Sequence, residues 1–188
     1  MQSVDERALL ERAQTYDPAA LAEIYDRYSG KIYSYILYQV GDEELAADLT
    51  SNVFTKMLDA IKSAKSWHSS FSSWLYRIAH NAVVDHFRRS SHEKFLPLDE
   101  RWVSAKEDPV TNVENKIEAE SIRQALAYLT VEQRTVIILK FFEGFSNLEV
   151  AKVMGKTEGA IKSLQYRALG AMRRYLERDG EIGNAEKA

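Results

Sequence analysis

The side chains best suited to chemistry lie on one helical face near the C-terminus. Residues Ser146 to Arg174 read SNLEVAKVMGKTEGAIKSLQYRALGAMRR. At about 100° per residue, Gly159, Lys162, Ser163, Tyr166, Arg167, Arg173 and Arg174 share one sector, and Ile161, Leu164, Ala168 and Met172 share another. Cations interleaved with hydroxyls on a helix can grip phosphates and read base edges, as a recognition helix does in a major groove. The elements needed to aim that face are written beside it. Ser146 with Glu149 predicts a capping box, and Leu148, Val150, Ala151 and Val153 predict a short apolar helix. Gly155 supplies a left-handed turn, and Thr157 can cap the second helix. The pattern is that of a helix-turn-helix, weighed against an ordinary amphipathic hairpin with a solvated basic face.

A second group of candidates spans residues 62–89. KSAKSWHSSFSS reads as a Ser- and Lys-rich loop carrying Trp67 and Phe71. Its rings could stack on unpaired bases, or plug the core from the surface; both readings stand. SWLYRIAHNAVVDHFRR then predicts a helix over Ser73–Arg89, with Trp74, Leu75, Ile78, Ala82 and Phe87 apolar and Arg77, His80, Asn81, Asp85, Arg88 and Arg89 polar. Asn is unusual in mid-helix, so Asn81 is either a contact residue or a satisfied buried amide.

Catalytic chemistry finds no support. There is no phosphate-binding glycine loop, no nucleophile–base constellation and no helical His/Glu metal pair. The four histidines, His68, His80, His86 and His92, lack ligand spacing, and the chain has no cysteine. No metal, cofactor or enzymatic activity is expected. The cysteine count excludes disulfides and fits a reducing cytoplasm. No signal peptide or membrane span is visible, since no apolar run approaches the length of a span.

Net charge is −3 over 188 residues, but it is unevenly spread. Lys62–Lys94 holds six Lys/Arg against two Asp/Glu, and Ser146–Arg178 holds seven against three. Gln39–Ala60 holds one against five, and Phe95–Glu120 three against seven. Two basic islands suggest two DNA-facing patches, and the acidic stretches suggest a face for something else.

With Gly scarce at 8 and Pro at 3, the remaining elements read as helices. A short one covers residues 1–16. Asp17-Pro18 restarts the chain, and Leu21, Ile24, Tyr28, Ile32 and Ile36 form a stripe thickened by Tyr25, Tyr33, Tyr35 and Tyr38. Gly41-Asp42 separates it from a helix over Asp42–Ile61, apolar at Leu45, Leu49, Val53, Met57 and Ile61 and acidic elsewhere. That acidic side is either solvated or a docking face for a basic protein. Ser90–Asn115 reads as a linker. A helix over Val113–Tyr128 carries Ile117, Ile122, Ala125 and Leu126. Thr130 with Gln133 predicts a further capping box, opening a helix that Gly144 ends.

Three stretches together resemble the extracytoplasmic-function branch of the bacterial sigma-70 family. FSSWLYRIAHNAVVDHFRR (Phe71–Arg89) resembles its promoter −10 segment, and ELAADLTSNVFTKML (Glu44–Leu58) its core-polymerase-binding segment. LTVEQRTVIILKFFEGFSNLEVAKVMGKTEGAIKSLQYRALGAMRRYL (Leu129–Leu176) resembles its −35-binding domain. The resemblance implies an all-α fold of two small helical domains on a flexible linker: residues 1–91, a linker over 92–114, a helix-turn-helix domain over 115–178, and a polar tail over 179–188. It implies partners: core RNA polymerase through its clamp and flap regions, promoter DNA, and an anti-sigma factor, all in the cytoplasm. Asp48, Leu49, Asn52, Val53 and Phe54 lie where the family docks on polymerase. Trp67, His68, Ser70, Phe71, Arg77, Asn81, Arg88 and Arg89 lie where it captures the −10 element. Lys156, Thr157, Glu158, Gly159, Lys162, Ser163, Tyr166 and Arg167 lie where it reads −35 DNA. The chain departs from the family pattern at Ser51-Asn52, where Gln-Glu is usual, and at Leu164-Gln165 and Leu169, where the recognition helix loses two cations.

Overall fold

A computed structural model of the chain describes residues 4–63, 67, 70–90 and 121–185, which form helices joined by short connections with no strand among them. The chain divides into two compact units, residues 1–94 and 95–188. The expected linker lies outside the described residues.

The first unit holds α1 (Val4–Gln14), α2 (Pro18–Val40), α3 (Glu43–Lys62) and α4 (Phe71–Ser90). Local signals set the breaks. Asp17 accepts the Ala19 N–H at 2.9 Å as the α2 N-cap, with Pro18 in the first turn where its missing N–H costs nothing. Arg12 donates to the same carboxylate at 2.7 Å, and this bond holds Asp17 below the usual carboxylate range. Gly41 ends α2 in the left-handed region at φ 71°, and its N–H returns to the Leu37 carbonyl. Asp42 then caps α3 by accepting the Leu45 N–H. Helix α4 starts two residues earlier than the sequence suggests. Ser70 takes the N-cap role, its Oγ accepting the Ser73 N–H and its carbonyl the Trp74 N–H.

Helix α2 packs on α1, α3 and α4, so Ile24, Ile32, Tyr35 and Ile36 are wholly buried. Leu21 and Tyr28, also in the expected stripe, are only half-buried at its margins. The tyrosines divide in the same way: Tyr35 is core, Tyr33 and Tyr38 are half-buried, and Tyr25 is exposed. Tyr35 stands edge-on to Tyr76 at 5.5 Å, and its hydroxyl hydrogen-bonds His80 Nδ1 at 3.3 Å. His80 is therefore a buried core partner.

The second unit begins with α5 (residues 121–127), followed by α6 (Val131–Ile137), a π-helical turn (Ile138–Phe142), α7 (Asn147–Met154) and α8 (Glu158–Ala185). Both capping boxes are present, Thr130 with Gln133 and Ser146 with Glu149. Gly144 stands at φ 73° behind the π turn, where the Phe145 N–H returns to the Leu139 carbonyl. Burial corrects three apolar assignments. Phe142 counts among the apolar residues expected of the helix that Gly144 ends, and Ile122, Leu148 and Phe142 are all exposed, while Ala125, Leu126, Leu129, Val150, Ala151 and Val153 are core. Along α8 the buried stripe runs Ile161, Leu164, Ala168 and Ala171, with Met172 half-buried at its edge.

Candidate nucleic-acid interface

Helices α7 and α8 meet through a turn made by Gly155 at φ 63°, whose N–H bonds the Ala151 carbonyl. Lys156 N–H returns to the same carbonyl, and Thr157 Oγ1 accepts the Ala160 N–H to cap α8. Glu149 closes the other end: Ser146 donates to it from Oγ at 2.7 Å and from its N–H at 2.8 Å, and these bonds hold its carboxyl below the usual range. The two helices are thus fixed by short-range bonds.

With Ile161, Leu164 and Ala168 turned into the core, the sector of α8 bearing Lys162, Ser163, Tyr166 and Arg167 is exposed. Tyr166 is 81% exposed, standing clear of the unit. Thr157, Glu158 and Gly159 at the helix start are also exposed, and nothing within 4 Å fills the space a side chain would take at Gly159. Several cations are already engaged. Lys162 pairs with Glu158 at 3.0 Å one turn before it, and Arg173 with Glu177 at 2.7 Å. Arg167 Nε donates to the Ser163 carbonyl at 3.4 Å. Lys156 reaches across to Glu132 on α6 at 2.8 Å.

Sequence reasoning missed the residue that holds this unit's first corner. Arg134 is wholly buried, and its guanidinium donates to the carbonyls of Leu126 at 2.8 Å and of Ala127 and Leu129 at 3.0 Å each. These groups close α5 and the turn into α6, so one side chain caps one helix from inside the next. Burial lowers its pKa to about 10, which leaves the cation intact at neutral pH. The signal in the sequence was slight: Arg134 follows Glu132 and Gln133 and precedes the apolar run Val136–Leu139.

In the first unit, the aromatic candidates are internal. Trp67 is 8% exposed and Phe71 not at all. Their rings meet edge-on at 4.7 Å, Trp67 also faces Trp74 at 5.5 Å, and Phe71 meets Tyr28 at 5.2 Å. Of the two readings open for these rings, base stacking is corrected and packing holds: α2 and α4 close over them, and they plug the core. Tyr28 is itself anchored by donating to Glu6 at 3.0 Å, and burial, with Glu6 adding to it, pushes its hydroxyl pKa up. His68 lies outside the described residues, and Ser70 is occupied as the α4 cap.

The polar side of α4 presents Arg77, Asn81, Arg88 and Arg89 to solvent. Asn81 is exposed, which rules out the buried-amide alternative. Arg88 pairs with Asp85 at 3.1 Å. A shallow groove between α3 and α4 is lined by Leu49, Asn52, Lys56, Asp85, His86 and Arg89. Burial lowers the pKa of His86 there; Arg89 acts the same way and Asp42 opposes it.

On α3, Glu43, Glu44, Asp48, Asn52 and Asp59 form an exposed ridge. Leu49 is half-buried at its α4 side. Val53 and Phe54 face inward instead, Phe54 being 5% exposed and set edge-on against Tyr25 at 4.8 Å. Burial of Val53 follows its place in the apolar stripe of this helix, and the docking contact that the resemblance implied for Val53 and Phe54 is corrected, since neither side chain is exposed. No described helix is long and apolar enough to cross a membrane.

Two family models match the chain in order: sigma-70 region 2 over residues 24–93 and sigma-70 region 4 over residues 119–172. The chain is a member of the sigma-70 family. Among curated proteins it is 38% identical over 174 residues to the extracytoplasmic-function sigma factor BldN of Streptomyces coelicolor, covering 91% of this chain and 66% of BldN. It is 29% identical to the extracytoplasmic-function sigma factor SigX of Bacillus subtilis, covering 82% of each. These relatives place it in that branch of the sigma-70 family. Its fold is similar to that of the sigma factor RpoE solved with the anti-sigma factor NepR from Bartonella quintana, at TM-score 0.65 and 21% identity, covering 83% of this chain and 96% of RpoE. Region 2 spans most of α2 through α4, and region 4 contains the α7–α8 pair.

Proposed function

We propose that this sigma-70 family member joins core RNA polymerase and directs it to promoters, supplying address and strand separation while polymerase supplies the bond chemistry. One observation carries the reading: a single chain holds an exposed acidic helix in a unit with a basic α4 face, and a separate helix-turn-helix with a cationic face. The acid ridge of α3, with Asp48, Asn52 and the edge of Leu49, suits a basic polymerase surface. Arg77, Asn81, Arg88 and Arg89 on α4 suit the −10 element, with the arginines on phosphates. Trp67 and Phe71 support that face from within as packing. Lys156, Thr157, Glu158, Gly159, Lys162, Ser163, Tyr166 and Arg167 suit −35 duplex, at the start and along the outward face of α8.

Two weakly binding units joined by a linker gain effective concentration once both sit on polymerase. Alone, a chain of net charge −3 binds DNA poorly. Control by an anti-sigma factor fits the fold it shares with RpoE, which was solved bound to one. Its place of action is the cytoplasm, where polymerase and promoters are.

Run-off transcription with purified core polymerase on a promoter library tests the reading. Transcripts that depend on the chain are expected, with Asp48→Arg recovering less core polymerase in pull-down. No transcript on any template, together with tight binding of one duplex site by the chain alone, would overturn it in favour of a stand-alone helix-turn-helix regulator.

A further inference from the structure

Burial of Phe54 leaves the acidic ridge of α3 without an exposed aromatic ring of its own. The exposed ring beside it belongs to α2. Tyr25 is 50% exposed, and its ring stands edge-on to Phe54 at a centroid distance of 4.8 Å and an interplanar angle of 63°. One face of that contact is spent on Phe54, which fixes the ring in place, and half of the side chain is left to solvent. On α2, Ala22 and Asp26 lie exposed within one turn of it. On α3, Ser51 lies exposed one turn before Phe54, with Asp48 beyond it. The ring therefore stands at the α2 margin of the acidic ridge and continues the same surface. A pre-positioned, half-exposed tyrosine at the margin of an acidic ridge is the composition of an interface anchor: large contact area, little rotamer entropy to lose, and an electron-rich face for a cation.

We infer that Tyr25 is the aromatic anchor of the polymerase-docking face, beside the position where the resemblance placed Phe54, with an Arg or Lys side chain of the basic polymerase surface set on its ring. The inference rests on the α3 docking reading above. Phe54 becomes the positioning residue that holds the ring upright from below. The acidic ridge draws the basic partner in, and Tyr25 supplies the apolar contact that keeps it there.

The test is a binding titration of the full-length chain with purified core RNA polymerase. Tyr25→Ala is expected to weaken binding roughly tenfold, and Tyr25→Phe to stay within about twofold of the parent chain. Tyr25→Lys keeps an aliphatic stem over Phe54 while presenting a like charge to the partner, so it is expected to lose at least as much as Tyr25→Ala with its thermal midpoint nearly unchanged. Asp48→Arg is titrated alongside. If Asp48→Arg weakens binding but Tyr25→Lys binds like the parent, the anchor assignment is overturned and the docking reading stands. If Tyr25→Phe loses as much as Tyr25→Ala, the contact is through the hydroxyl and the ring assignment is wrong. If neither Asp48→Arg nor any Tyr25 variant weakens binding, the docking face itself has been misplaced.

Discussion

Replacing Arg134 by Met removes the guanidinium while leaving an apolar stem of similar length. Three hydrogen bonds of 2.8–3.0 Å to the carbonyls of Leu126, Ala127 and Leu129 disappear. A hydrogen bond to a charged group contributes about 1.5–3 kcal/mol, and losing a buried partner exposes the full desolvation penalty of the group left behind. Against this, the variant no longer buries a cation, which returns several kcal/mol. The net expected loss is about 3 kcal/mol, a large share of the roughly 5–15 kcal/mol that holds a domain together. It should fall on one unit. Amide hydrogen exchange on the full chain reads this directly, because opening free energies are reported segment by segment. Exchange in residues 121–137 is expected to quicken roughly a hundredfold, since each 1.4 kcal/mol is a factor of about ten, while α2 to α4 exchange as before. Arg134→Lys, with a single ammonium in place of a planar fork, should fall between. Unchanged exchange across 121–137 in Arg134→Met would refute the idea that this side chain closes α5.

Two further outcomes follow from the ion pairs and caps of the second unit. Glu132→Gln releases Lys156 from its 2.8 Å pair and removes a carboxylate from beside the α8 start. Holoenzyme bound to −35 duplex should tighten a few-fold, and the slope of log affinity against log salt should steepen by roughly 0.9, the value for one added phosphate contact; an unaltered slope would mean that Lys156 does not reach DNA. Glu149 has a folded pKa lowered from 4.5 by its bonds to Ser146. A depressed carboxylate contributes stability above its unfolded value and loses it as pH falls through the folded one, so the α7 turn should weaken on acidification below about 4.5. Glu149→Gln retains a capping acceptor without the titration, and thermal midpoints measured across that range should show a flatter pH profile for the variant.

Helix boundaries near Asp17, Gly41, Asp42, Thr130, Ser146 and Gly155 were legible in the sequence because each depends on bonds within a few residues. A cap or a left-handed glycine acts at the same place whatever the rest of the chain does. The outward face of α8 was legible for a related reason: once a helix has one apolar stripe, the opposite sector is committed to solvent. Periodicity could not say how wide a stripe the neighbours cover. Phe54 and Tyr25 are both aromatic at helical spacing, yet α3 packed on α2 buries one and leaves half of the other outside. Trp67 and Phe71 went the same way, since whether an aromatic in a polar segment stacks outward or plugs inward depends on space left between α2 and α4. Arg134 carries the same lesson in reverse. Its charge argues for the surface, and only the carbonyls of α5 and the turn after it, folded back over α6, make the interior tolerable for it. Short-range hydrogen bonding and periodicity therefore determine which helices form and which way they face, whereas the fate of side chains at stripe margins is decided by the elements packed against them.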